Sequence, residues 1–186
     1  MLAANDTVVL FIDLQEAFVG ASRTNPSAEL RRSACALAEL AARLALPAVV
    51  SAFAIGPNGP GVFGEILRAL PDAPIIERRT ASALASADTR RAVESAGKRN
   101  LILCGIATEV AVLHTGLDAR ALGLSTHIAV DAGGGLSARG EAAALRRLEA
   151  AGCATTSVPT LLTELVGDLG SADGGKVLDI LVGLTS

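Results

Sequence analysis

The chain has 186 residues, of which 51% are apolar and 19% charged, and its 16 basic and 19 acidic side chains leave a net charge of −3. That mildly acidic balance, with no basic stripe, argues against a nucleic-acid surface, and no apolar run reaches the roughly 18 residues of a membrane span. The N-terminal MLAANDTVVL lacks the positive start of a signal peptide, so a cytoplasmic, one-domain protein over residues 1–186 is expected.

Thr7–Ile12 is a short, continuously apolar run, the pattern of a strand covered on both faces. Ser27–Leu44 reads as a helix, with Leu30, Ala34, Leu37, Ala41 and Leu44 on one face at spacings of three and four. A strand at Ala48–Ala52, a helix at Pro60–Leu70 and a strand at Pro74–Ile76 follow. Next come a helix at Asp88–Ala96, a strand at Asn100–Cys104, a helix at Glu109–Leu122 and a strand at Ser125–Val130. A helix at Ala138–Ala151 and a strand at Ala154–Val158 complete the alternation. Gly97, Gly123 and Gly152 sit just beyond helical runs, where a left-handed cap needs glycine.

Thr160–Ser186 forms an amphipathic tail carrying Leu161, Leu162, Leu165 and Leu169, then Val177, Leu178, Leu181 and Leu184, with Gly170–Gly175 between its halves. Much of it has no sheet left to cover, so a homo-oligomer using the tail from about residue 160 is expected.

Strands alternating with helices imply right-handed crossovers and a parallel sheet. The expected fold class is α/β: a Rossmann-like three-layer α/β/α sandwich around a six-stranded parallel sheet. In such sheets ligands bind beyond the carboxyl ends of the strands. Asp13, the 53–60 loop, Arg78, Arg79, the 105–111 stretch and Asp131 all fall there.

Asp13 can cap a turn or serve as a general base at the mouth of the sheet. Arg78 and Arg79 can reach the same crevice. His114 and His127 are the two histidines, one on a helix and one inside a strand, so no histidine metal triad can form. His114 reads more readily as a packed or interface side chain than as a base. Cys35, Cys104 and Cys153 are scattered without a CxxC pair, which indicates neither a disulfide framework nor a zinc site. No metal and no cofactor are expected. The loop Asp131–Gly135 is neither GxGxxG nor a P-loop. From Cys104 to Val112 a strand runs through a tight turn into a helix, presenting backbone N–H groups suited to an oxyanion. That first turn holds no strong nucleophile; Thr108 is its one hydroxyl.

VVLFIDLQEAF at 8–18, LALPAVVSAFAIGPNGP at 44–60, KRNLILCGIATEVAV at 98–112 and the strand-end Asp131-Ala132 occur together and in order. In these stretches the chain resembles the isochorismatase-like cysteine hydrolases, more narrowly their YcaC-like branch, over nearly its whole length. The resemblance implies the same six-stranded fold and a small-molecule substrate cleaved at a C–N, amide-type bond. It maps the family's aspartate onto Asp13, its basic residue onto Arg78, and its Gly-x-x-Thr-x-x-Cys onto Gly105–Ala111. It also implies a cis peptide between Ile106 and Ala107, oxyanion donors at Ala107 and Ala111, and substrate-lining positions at Gln15, Phe53, Thr108 and His114.

Two positions depart from the pattern. Leu84 stands where relatives commonly carry an aromatic, and Ser51-Ala52-Phe53 stands where nicotinamidases carry an Asp-x-His metal motif. A third departure bears on mechanism: the nucleophile position is Ala111, and Cys104 lies seven residues upstream inside a strand. Three accounts fit: a cysteine replaced by design, cysteine-free vinyl-ether hydrolysis as in isochorismatase, or an oligomer that binds a small molecule without turnover. The intact Asp13, Arg78 and turn favour the first.

Overall fold

Six parallel strands in the order β3-β2-β1-β4-β5-β6 form the centre of the computed structural model, which describes residues 2–56 and 59–185. Pro57 and Asn58 of the expected 53–60 loop, and Ser186 of the tail, lie outside the described residues. The strands are β1 (Thr7–Ile12), β2 (Ala48–Phe53), β3 (Ile75–Arg78), β4 (Asn100–Gly105), β5 (Ser125–Ala129) and β6 (Ala154–Thr156). The helices are α1 (Glu16–Val19), α2 (Ser27–Arg43), α3 (Gly64–Ala69), α4 (Ala87–Ser95), α5 (Leu113–Ala121), α6 (Ala138–Ala150), α7 (Val158–Val166) and α8 (Ala172–Leu184).

The sheet is covered on both faces, which is why its strands are continuously apolar. On β1, Val9 and Phe11 join the core under α2, α7 and α8, while Val8, Leu10 and Ile12 join the core under α4, α5 and α6. Every residue of β1 is buried. Burial of a Val, Leu, Ile or Phe side chain contributes about 1.5–3 kcal/mol, so this central strand anchors the sheet. Residues just past its carboxyl end are held as firmly as the core itself.

The expected three-layer architecture is present, with local differences that have physical causes. The helix expected from Pro60 begins only at Gly64. Val62 instead makes an antiparallel bridge with Gln15, and the Phe63 N–H donates to the Leu14 carbonyl, which holds the segment out of the helix. The strand expected to reach Val158 stops at Thr156, because Ser157 caps α7 and Pro159 occupies its first turn. The helix expected from Glu109 opens instead as a π-helical turn, Thr108–Val112, before α5. The tail, expected to lack a sheet to cover, packs on the α2 side. Leu161, Leu162, Leu165, Val177 and Ile180 belong to that core, while Leu169, Leu178 and Val182 remain exposed.

Candidate active site

Asp13 is the first residue beyond β1. It adopts a left-handed backbone with φ 52°, a region that aspartate tolerates better than most residues, and its N–H donates to the Ser51 carbonyl. Arg78 closes β3, in register with Phe53 at the end of β2. The parallel order β3-β2-β1 therefore brings together two side chains 65 positions apart. The Arg78 Nη2 donates to Asp13 Oδ2 at 2.7 Å, with the two side chains only 1% and 8% exposed. A second guanidinium nitrogen, Nη1, donates to the Thr80 carbonyl at 2.7 Å. Asp13 Oδ1 is buried and has no hydrogen-bond partner. Burial pushes the Asp13 carboxyl above its ordinary range; the Arg78 guanidinium pulls against this without cancelling it.

Opposite Asp13, β4 ends at Gly105 and the chain turns sharply. Gly105 has φ 144°, and a Cβ there would overlap the Ile12 carbonyl. A Cβ on Gly133 would in turn overlap the Gly105 carbonyl, so the glycine-rich 133–135 loop serves close backbone packing behind the turn. The Ile106–Ala107 peptide is cis. Val112 N–H donates to the Ala107 carbonyl and Leu113 N–H to that of Thr108, the i→i+5 bonds of a π turn. That extra residue shifts the phase at which side chains leave the helix.

Between these two walls lies a pocket of about 250 Å³ lined by Asp13, Phe18, Phe53, Ala107, Val110 and Ala111, with Ala21, Ile106 and Leu136 completing it. Phe18 and Phe53 meet edge to face, centroids 6.4 Å apart. Asp13 is the one titratable side chain among the described lining residues. The isochorismatase domain model matches residues 7–160.

The chain belongs to the isochorismatase family.

This isochorismatase-family chain is 33% identical over 153 residues to the probable hydrolase YcaC of Escherichia coli, covering 81% of this chain and 73% of that protein. The structure of Pseudomonas aeruginosa YcaC with hexane-2,5-diol and covalent acrylamide superposes with a TM-score of 0.90 at 31% identity, covering 96% of this chain and 90% of that one. Escherichia coli YcaC, described as an octameric hydrolase of unknown specificity, superposes with a TM-score of 0.89 at 30% identity, covering 98% and 88%. Hydrolase family membership and the six-stranded fold follow.

Of the site residues expected from the sequence, Asp13, Ala107, Ala111, Ile106 and Phe53 line one pocket, and Arg78 lies directly behind Asp13. Gln15, Thr108 and His114 do not line it. Gln15 is fully buried: its Oε1 accepts from the Phe53 N–H at 2.8 Å, and its Nε2 donates to the Phe53 and Pro60 carbonyls. It is thus a strut holding the Phe53 wall. Thr108 turns away, its hydroxyl donating to Glu141 Oε1 at 2.8 Å. His114 is exposed on α5. Leu84, which stands where relatives commonly carry an aromatic, is buried among α4 and α5 residues and does not line the pocket. Asp131 accepts the Val158 N–H with both oxygens, at 2.9 and 3.1 Å, and anchors α7.

No cysteine lines the pocket. Burial pushes the thiol of Cys35 up to about 11 and raises those of Cys104 and Cys153, so all three are poor nucleophiles. Among the described residues, no three His, Cys, Asp or Glu side chains gather into a metal-holding group. Sequence reasoning passed over Phe18, Ala21 and Leu136, which lie six to nine residues beyond the ends of β1 and β5; Val110 falls inside the 105–111 stretch already singled out.

Proposed function

We propose that this chain hydrolyses a C–N, amide-type bond of a small molecule with Asp13 as its acid–base group and water as the nucleophile. The observation that carries the reading is a pocket whose one reactive side chain is a buried aspartate with an unpartnered oxygen, facing an alanine. In the proposed step the Asp13 carboxylate takes a proton from water as the water oxygen bonds to the amide carbonyl carbon. The carbonyl oxygen gains the electron pair and rests against the 105–111 turn. Collapse re-forms the carbonyl and breaks the C–N bond, while Asp13 returns the proton to the leaving nitrogen. No covalent enzyme intermediate forms. In relatives that carry a cysteine at the position of Ala111, the thiolate takes the role that water has here.

The test is a set of small amides assayed with the parent chain and with Ala111→Cys, product being measured alongside the intact protein mass after acid quenching. The parent should yield product with no mass adduct, whereas Ala111→Cys should accumulate an acyl adduct. An adduct on the parent, or the absence of product from every amide, overturns the proposal.

A homo-oligomer belongs to the same reading. It is supported by the octameric Escherichia coli YcaC and by Leu178 and Val182 exposed on α8. Light scattering that returned the monomer mass would contradict it.

A further inference from the structure

The lining of the Asp13 pocket limits what can occupy it. Its volume of about 250 Å³ corresponds to about eight water-sized volumes. Apart from Asp13, every lining side chain is apolar: two phenylalanines, three alanines, Ile106, Val110 and Leu136. Among the described residues, no lysine, arginine or histidine reaches the space. Arg78, the nearest cation, has a side chain 1% exposed and spends Nη1 on the Thr80 carbonyl and Nη2 on Asp13. It lies behind the carboxylate and offers nothing to a ligand.

A ligand carboxylate would therefore sit beside the Asp13 carboxyl without a cation of its own. A cationic ligand fares little better, because Arg78 already neutralises Asp13 at 2.7 Å. The unmet requirement is a hydrogen-bond donor. Asp13 lines the pocket, and its Oδ1 is buried without a hydrogen-bond partner, a state that costs free energy until a donor reaches the carboxyl.

We infer that the site selects compact, uncharged, largely apolar molecules carrying an N–H or O–H donor for the Asp13 carboxyl, and that it excludes carboxylates. The inference deepens the proposed hydrolysis, since it concerns the same pocket, and it sets this chain apart from a site for a dicarboxylate such as isochorismate. Vinyl-ether hydrolysis needs only an acid, which Asp13 supplies, but that substrate's two carboxylates find no partner here.

The experiment compares binding of isobutyramide and benzamide with that of isobutyrate, benzoate and isobutylammonium, read by chemical-shift titration of the parent protein at pH 7. Ligands of this size bind with Kd values of roughly millimolar order. Each amide should bind at least ~10-fold more tightly than its carboxylate, and more tightly than the ammonium ion. Asp13→Asn should erase most of that preference by removing the carboxylate charge. A second variant guards against misfolding of the first: Val110→Lys places a cation at a lining position that is 42% exposed, and it should tighten carboxylate binding ~10-fold. Equal or tighter binding of the carboxylates or the ammonium ion to the parent, saturation by neither amide, or unchanged carboxylate affinity in Val110→Lys overturns the inference. Binding is read without turnover, so the hydrolytic proposal fails on product formation and this one on relative affinity.

Discussion

Replacing Arg78 with methionine removes the partner of a buried carboxylate while keeping an unbranched apolar stem. The ion pair spans 2.7 Å and its side chains are 1% and 8% exposed, so neither water nor a neighbouring cation can substitute. Breaking such a pair from one side costs about 3–5 kcal/mol. For a chain of this size that lowers Tm by roughly 6–20 °C. The loss should depend on pH. Burial already holds the folded-state Asp13 carboxyl above its ordinary range, against the pull of Arg78; without Arg78 it rises further. A carboxyl whose pKa is raised by folding opposes the folded state once ionised. Its stability contribution is fully present below the unfolded value and is lost as pH rises through the folded one. Urea unfolding of parent and Arg78→Met should therefore show the full gap at pH 7 and a narrowing gap as pH falls toward 4. Adding Asp13→Asn to Arg78→Met should recover stability, because no buried charge is then left alone. A gap below about 1 kcal/mol at pH 7, or one that does not change with pH, would refute the reasoning.

Gly105→Ala should leave the protein insoluble or lower its stability by more than about 4 kcal/mol, checked by soluble yield and circular dichroism, because its Cβ would overlap the Ile12 carbonyl and the backbone sits at φ 144°. Gln15→Leu removes the fully buried amide that bridges the part-buried backbone groups of Phe53 and Pro60; urea unfolding should show a loss of about 1–3 kcal/mol. In Ala111→Cys, iodoacetamide should label position 111 before Cys35, Cys104 and Cys153, whose thiols burial holds in the neutral form. Peptide mapping that found one of those three labelled first would contradict the geometry of the turn.

Much of this follows from local pattern, and the remainder from contacts that no local pattern carries. Continuous apolar runs and the glycines after helices place the strands and helices, because a strand buried on both faces has no polar alternative. Boundaries move where side chains bind across the chain. Pro60 looks like the start of a helix, yet the Gln15–Val62 bridge holds residues 60–63 out of it. The tail looks unpartnered because its partner is α2, more than a hundred residues earlier. At the site, Asp13 and Arg78 are both readable as residues past strand ends, and sheet order makes them a pair. Thr108 and His114 look like pocket residues on an ordinary helix. The π turn at Thr108–Val112 changes the phase, so Thr108 meets Glu141 and His114 faces outward. Gln15 looks like a substrate ligand because it follows Asp13 by two residues, but its amide is fully occupied by backbone.

The central claim is that Asp13 alone carries the chemistry. Its most direct test is the rate of amide hydrolysis by Asp13→Asn against the parent chain, with Tm recorded for both so that folding is not mistaken for catalysis. The account predicts a loss of ~10²–10⁴-fold in kcat/KM in a variant that remains folded at the assay temperature. A folded Asp13→Asn protein hydrolysing the amide at the parental rate would contradict it.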